Sequence, residues 1–256
     1  MSSYKYSLTP LYLLILFGLN ACSGERYTEL MNASRDGNNK AVTRVLNSGA
    51  EVNQKTTQGK TALMLACSNG HIDTVNLLIN RGADIKTKDQ YDTTPIIIAA
   101  TTGNTEIVKI LLDHGADASF KDASGGSALT NATFFGHTET VKILLEATPD
   151  LATEDGDELI MLAAGFGYTA IVKNLLKHGV KADAKGPKNR TPLMAAAAFN
   201  HPEVARTLLS AGANPRAKDD DGNSVLQVAE AKGHQEIIRI LKAKTQVKRK
   251  IKSKKK

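Results

Sequence analysis

The chain of 256 residues has no tryptophan, and aromatic residues make up only 5% of it. Its two cysteines, Cys22 and Cys67, are too few for a disulfide scaffold or a cysteine-rich zinc module. No apolar run approaches the ~20 residues that a spanning helix needs. The sequence shows no Gly-rich phosphate loop, no Gly-x-Ser-x-Gly elbow, no isolated nucleophile–base set and no i, i+4 histidine pair. These absences argue against an enzyme and against a metal site, and nothing implies a cofactor. What is present is ordinary for a folded protein: 41% hydrophobic and 23% charged residues, enough to bury a sizeable core.

The formal charge of +7 belongs to the ends of the chain. Residues 245–256 hold seven basic residues and no acid: Lys248, Arg249, Lys250, Lys252, Lys254, Lys255 and Lys256. With these and Lys5 set aside, 25 basic residues face 26 acids, so the body is close to neutral. The tail, 245–256, is expected to be disordered. Its charge suits lipopolysaccharide phosphates, anionic phospholipid or peptidoglycan carboxylates. A solvated, solubilising tail is the other reading.

At the N-terminus, Lys5 precedes a short apolar core over residues 11–19 and then small residues, which is the pattern of a secretory signal. The stretch Leu19-Asn20-Ala21-Cys22 resembles the lipobox of bacterial lipoproteins. The resemblance implies cleavage before Cys22, acylation of that residue and a stable membrane anchor. Ser23 after the cysteine implies the outer rather than the inner membrane. An ordinary signal with an incidental Cys22 is the alternative. The leader is assigned to 1–21 and a short linker to 22–25.

Beyond the leader the sequence repeats. Ala33, Ala66, Ala99, Ala132, Ala163, Ala196 and Ala229 are spaced by 33 residues, except for one step of 31. Leu or Ile stands three residues before each of them, and Val or Leu twelve after. Glycine stands four after, except for Asn200. Such a period marks a repeat architecture. Within a unit, Thr94-Pro95 and Thr191-Pro192 suit an N-cap and first helical position. Gly103 stops the first helix, and Ile107, Val108, Leu111 and Leu112 make an apolar face on the second. Asp73, Glu106, Glu139, Glu203 and Glu236 fall in the first turn of the second helix, where the helix dipole favours anions.

These units, for example TTPIIIAATTGNTEIVKILLDHGADAS and RTPLMAAAAFNHPEVARTLLSAGANPR, resemble the ankyrin repeat. The resemblance implies an all-α solenoid of seven repeats over residues 26–244, with helix pairs joined by β-hairpin fingers. The end repeats read as caps, through polar Asn32, Ser34 and Arg35 in the first and through Glu230 and Lys242 in the last. The family's usual His is replaced by Met31, Met64, Met161 and Met194, which makes these methionines repeat residues. At the junction of repeats four and five, Thr148-Pro149 replaces Gly-Ala and two residues are missing. This is either drift in a finger or a bend that shapes a binding edge.

Among polar candidates, Asp155, Asp157 and the run Asp219, Asp220 and Asp221 are expected in finger loops, as solvated turn residues or a weak calcium site. Cys67 is expected to be a buried small hydrophobe. The aromatic residues form the main candidate site. Phe134, Phe135, Phe166 and Phe199 occupy the two positions before the first-helix stop in three consecutive repeats. In the family these positions vary and face the concave side. Phe135, Phe166 and Phe199 are expected to form one stripe with Phe134 at its edge, and Tyr91 and Phe120 to lie on nearby fingers. The rings either contact a partner or tuck against the next repeat.

Two functions fit. One is a non-enzymatic protein-binding module: a monomeric lipoprotein anchored in the bacterial envelope, facing the periplasm and binding a protein partner, with no specific nucleic acid. The other is an intracellular ankyrin adaptor whose tail acts as a nuclear-localisation signal.

Overall fold

The computed structural model describes residues 27–253, with side chains placed up to residue 245. The leader, Cys22, the linker 22–25 and residues 254–256 lie outside the described residues. Seven helix pairs follow one another: α1 (Glu29–Arg35) with α2 (Asn39–Asn47), α3 (Ala62–Asn69) with α4 (Ile72–Asn80), and α5 (Pro95–Thr102) with α6 (Thr105–Asp113). Next come α7 (Ala128–Phe134) with α8 (Thr138–Ala147), α9 (Thr153–Phe166) with α10 (Thr169–Lys177), and α11 (Pro192–Ala198) with α12 (Pro202–Ser210). The last pair is α13 (Val225–Lys232) with α14 (Gln235–Ser253). Each first helix packs on its own second helix and on the first helices before and after it, and the second helices form a parallel row. The fold is an all-helical repeat solenoid.

The repeated alanines make the close stacking possible. Ala66, Ala99, Ala132, Ala163, Ala196 and Ala229 are fully buried, with no exposed surface. The aliphatic residues twelve positions on, such as Leu78, Leu111, Leu144 and Leu175, are equally enclosed. Side-chain caps start the first helices: the hydroxyls of Thr61, Thr191 and Ser127 accept from the backbone N–H of Met64, Met194 and Thr130. Thr94 holds the same N-cap position, yet its hydroxyl is buried and makes no cap bond; Pro95 sets the first turn there. Ser224 and Gln227 form a full capping box on α13.

The two ends differ. Glu230 stands where inner repeats bury Cys67, Ala100, Ala164 and Ala197. It is exposed and paired with Lys242 at 3.3 Å, which leaves a polar outer face. Ser34, expected to do the same at the other end, is instead fully buried with an unpartnered hydroxyl. The first repeat is closed by Tyr27, which packs against the core with the Arg35 guanidinium 6.0 Å from its ring centre.

The fingers are slighter than β-hairpins. Five of them are closed by the same backbone bond, from the N–H of Thr56, Asp89, Asp122, Gly186 and Asp219 to the carbonyl four residues on. Antiparallel bridges form only at Lys121–Ser127 and Lys218–Ser224 among the described residues. In the last finger, burial works against the Asp219 charge. The backbone and side-chain N–H groups of Asn223, with Arg190 nearby, outweigh it and hold the carboxyl below its ordinary value.

Neighbouring fingers are laced together at their tips. Gln90 N–H donates to Gln58 O, Ala123 N–H to Tyr91 O, and Asp220 N–H to Lys188 O, at 2.9–3.0 Å. The junction of repeats four and five has no such finger. Helix α9 starts early and runs for 14 residues where the other first helices have seven or eight, leaving only residues 148–152 as a connection. Asp155 and Asp157 therefore lie in a helix rather than a loop. Asp155 pairs with Lys121 on one side at 2.6 Å, and Asp157 accepts from the Lys185 N–H on the other at 3.4 Å. The next finger has lost its neighbour, and Pro187 stands where the other fingers place the donating N–H. Proline leaves no orphan donor at that open edge.

Residues 245–253, expected as a disordered tail, continue α14 to Ser253. No Gly or Pro follows Gly233, and Lys, Arg and Gln are good helix formers, so nothing stops the helix.

Replacing Ala132 by Leu is expected to overpack the helix crossing and cost about 1–3 kcal/mol in a denaturant titration. Gly156→Val is expected to cost a similar ~1–3 kcal/mol, because even a Cβ there would sit 3.0 Å from the Val180 methyl. The helical circular-dichroism signal is expected to be indifferent to a chelator and to a reductant.

Candidate functional site

The six histidines, which cluster at two repeat positions in the sequence, carry structural bonds. His71, His137 and His201 donate from Nε2 to the carbonyls of Arg35, Thr101 and Gly165, and His234 donates from Nδ1 to Ala197 O, at 2.8–3.0 Å. Each of these acceptors lies in the last turn of the preceding repeat's first helix, where carbonyls lack helical partners. Asn104 does the same work by donating to Cys67 O at 2.9 Å. His114 and His178 donate to Ile110 O and Thr148 O. Among the described residues no group of three or more His, Cys, Asp or Glu is placed to hold a metal. Cys67 is fully buried, and burial pushes its thiol up, so it is inert as a nucleophile. Among the described residues no helix is long and apolar enough to cross a membrane.

The aromatic residues do converge. Phe134 and Phe135 at the end of α7 are half-buried, with ring centres 5.0 Å apart and edge-on. Phe134 meets Phe166, at the end of α9, edge-on at 5.3 Å. Phe134 is therefore the centre of the stripe and not its edge: it joins Phe135 to Phe166 across the repeat boundary. Phe199 follows on the C-cap of α11. Its ring lies 3.9 Å from where a Cβ of Gly165 would stand, and it is 65% exposed, the most open large apolar residue among those described. Asn200 takes the left-handed conformation that glycine takes in the other repeats, at φ +61°.

Two members of the stripe were not expected. Tyr168 stacks on Phe166 at 5.6 Å and its hydroxyl donates to Phe134 O at 3.4 Å, while His137 stacks on Phe135 at 6.2 Å. The signal for Tyr168 was legible, since it stands at the repeat position that holds His71, His137, His201 and His234. Leu162 and Ala195, four residues before Phe166 and Phe199, are partly exposed and extend the apolar surface along their helices.

Tyr91 and Phe120 are elsewhere. Tyr91 is 48% exposed at a finger tip. Phe120 is half-buried against the core under Lys88, whose ammonium sits 3.9 Å above the ring. Their fingers join the N-terminal ends of the first helices, whereas the stripe lies at the C-terminal ends, roughly 10 Å away over seven helical residues. The basic side chains of residues 248–256 and the lipidation candidate Cys22 lie outside the described side chains.

Comparisons place this geometry. The family model described as ankyrin repeats (3 copies) matches residues 3–89, 86–155, 132–219 and 160–252. Comparison with curated proteins finds no match. Among solved structures, the human ASB11 ankyrin repeat domain is 28% identical, with a TM-score of 0.74, over 83% of this chain and 97% of that one. The ankyrin repeat domain of Bcl-3, a member of the IkappaB protein family, is 26% identical, with a TM-score of 0.70, over 84% of this chain and 98% of that one. By repeat period, helix-pair stacking and family match together, the chain belongs to the ankyrin-repeat family.

Proposed function

We propose that this protein is a non-enzymatic binding module of the bacterial cell envelope, held by a lipid on Cys22, facing the periplasm and presenting its aromatic stripe to a protein partner. Ankyrin repeats in general are protein-interaction scaffolds. The observation that carries the reading is positional. At the position of Phe135, Phe166 and Phe199, other repeats place Asn69 and Thr102, so the fold does not require an aromatic residue there. The Phe199 ring passes 3.9 Å from where a Cβ of Gly165 would stand and keeps 65% of its surface in water. An exposed ring beside two half-buried ones is the arrangement of an interface anchor. The lipid anchor rests on the short apolar leader ending at Cys22.

Truncating the stripe is expected to separate binding from stability. Phe199→Ala should leave the melting temperature nearly unchanged and weaken partner capture by about 2 kcal/mol or more. Phe134→Ala should also destabilise, since each of its two edge-on ring pairs contributes about 0.5–1.5 kcal/mol. If Phe199→Ala melts early and the folded fraction still captures the partner, the ring is structural and the stripe is not the interface. For the anchor, Cys22→Ala should accumulate unprocessed precursor without acyl label; normal processing in that variant would exclude acylation at this site.

A further inference from the structure

We propose that the C-terminal extension of α14 is a helical docking element for anionic lipid bilayers, independent of the aromatic stripe and of Cys22. Two observations carry it. The first is charge: from residue 237 to the end the chain has ten basic residues and no acid. The second is conformation. Helix α14 is 19 residues long, whereas the other second helices have nine or ten, and it continues past the last repeat as far as Ser253.

A helix orders these residues in a way that a coil would not. At 3.6 residues per turn, the positions of Ile240, Val247 and Ile251 fall within an arc of about 40°. Ile240 is half-buried against the repeat core, and Val247 and Ile251 hold the same line beyond it. The positions of Lys248, Arg249, Lys250 and Lys252 fall outside that arc. A narrow apolar line with cations around the rest of the circumference is the pattern of a helix lying in a bilayer interface. Nucleic acid would neutralise the charge but leave the apolar line in water. An anionic bilayer takes both, with phosphates for the cations and the acyl boundary for Val247 and Ile251. Residues 246–253 reach about 12 Å beyond the repeat body, long enough to lie on a surface that the solenoid itself does not touch.

The test uses the full chain, so any contribution of the leader or of an acyl group is common to every arm. Partition is measured into phosphatidylcholine vesicles and into vesicles with about one-third phosphatidylglycerol, and binding to a duplex DNA oligonucleotide is measured beside it. The anionic vesicles are expected to bind at least about tenfold more tightly at low salt, with the preference shrinking as salt screens it. Replacing Lys248, Arg249, Lys250 and Lys252 by Gln should abolish the preference, since each cation near the surface contributes up to about fivefold. Val247→Ser with Ile251→Ser, charges intact, should weaken anionic-vesicle binding about tenfold and leave DNA binding unchanged. Ile251→Pro, which keeps every charge but interrupts the helix, should weaken it as well. Equal partition into both vesicle types would overturn the proposal. So would serine and proline variants that bind like the parent chain, or DNA binding that survives the salt at which anionic vesicles are released. Melting temperature should be the same in all variants; a fall would place these residues in the repeat core and overturn it too.

Discussion

A side chain resting on a glycine holds each inner repeat to the one before it. At Gly37, Gly103 and Gly167 the next repeat's histidine ring comes within 2.5–2.6 Å of where a Cβ would be, and at Gly136 the ring of Tyr168 comes within 2.8 Å. Any side chain at those glycines would lift the neighbouring repeat away. The same contact lets the ring nitrogen or hydroxyl reach a carbonyl at the end of the preceding first helix, so one residue satisfies a helix terminus and fixes the spacing of the stack. Such hydrogen bonds are worth about 0.5–1.5 kcal/mol each. Their larger effect is geometric: they set the last turn of each first helix against the next repeat, and that turn carries the stripe.

Within this frame the aromatic rings use freedom that the stack leaves over. The residues at the end of each first helix are tethered through their carbonyls, which leaves the side chain free to vary in type, and repeats two and three fill the positions with Ser68, Asn69, Thr101 and Thr102. Repeats four to six fill them with rings or with the small residues Gly165 and Ala198. Gly165 leaves room for the next ring, that of Phe199, to lean back over it. Tyr168 serves both systems, as an inter-repeat tether through its hydroxyl and as a stacking partner of Phe166 through its ring.

Much of this was legible in the sequence because it repeats. Seven alanines in register announced the helix crossings, and the glycines after them announced the stops. The position of Phe199 marked it as a candidate but left open whether its ring faces a partner or tucks against the next repeat. What the sequence did not reveal came from contacts between repeats. That Phe134 is the hub of the stripe depends on Phe166 reaching back across a boundary. That Ser34 is buried depends on the second repeat packing over the first, the side that Glu230 leaves open in the last repeat. The two-residue deletion was visible, but its outcome was not: periodicity cannot tell a shortened finger from a helix grown into its place. The continuation of α14 was missed because a run of lysines reads as solvated coil by charge, although lysine is a good helix former by propensity.

The junction of repeats four and five also bears on how this array can change over generations. The other interfaces rest on one interchangeable tether, His or Asn, so a unit copied or lost there would meet a compatible neighbour. Repeats four and five are different. Asp155 is matched to Lys121, Gly156 to Val180, and Pro187 to a finger that does not exist. A recombination point between them would set a proline edge beside an intact finger, or an early helix beside a finger already in its space. The stretch from Lys121 to Pro187 is matched to itself and is inherited best as a block, unlike the units joined by the common tether alone.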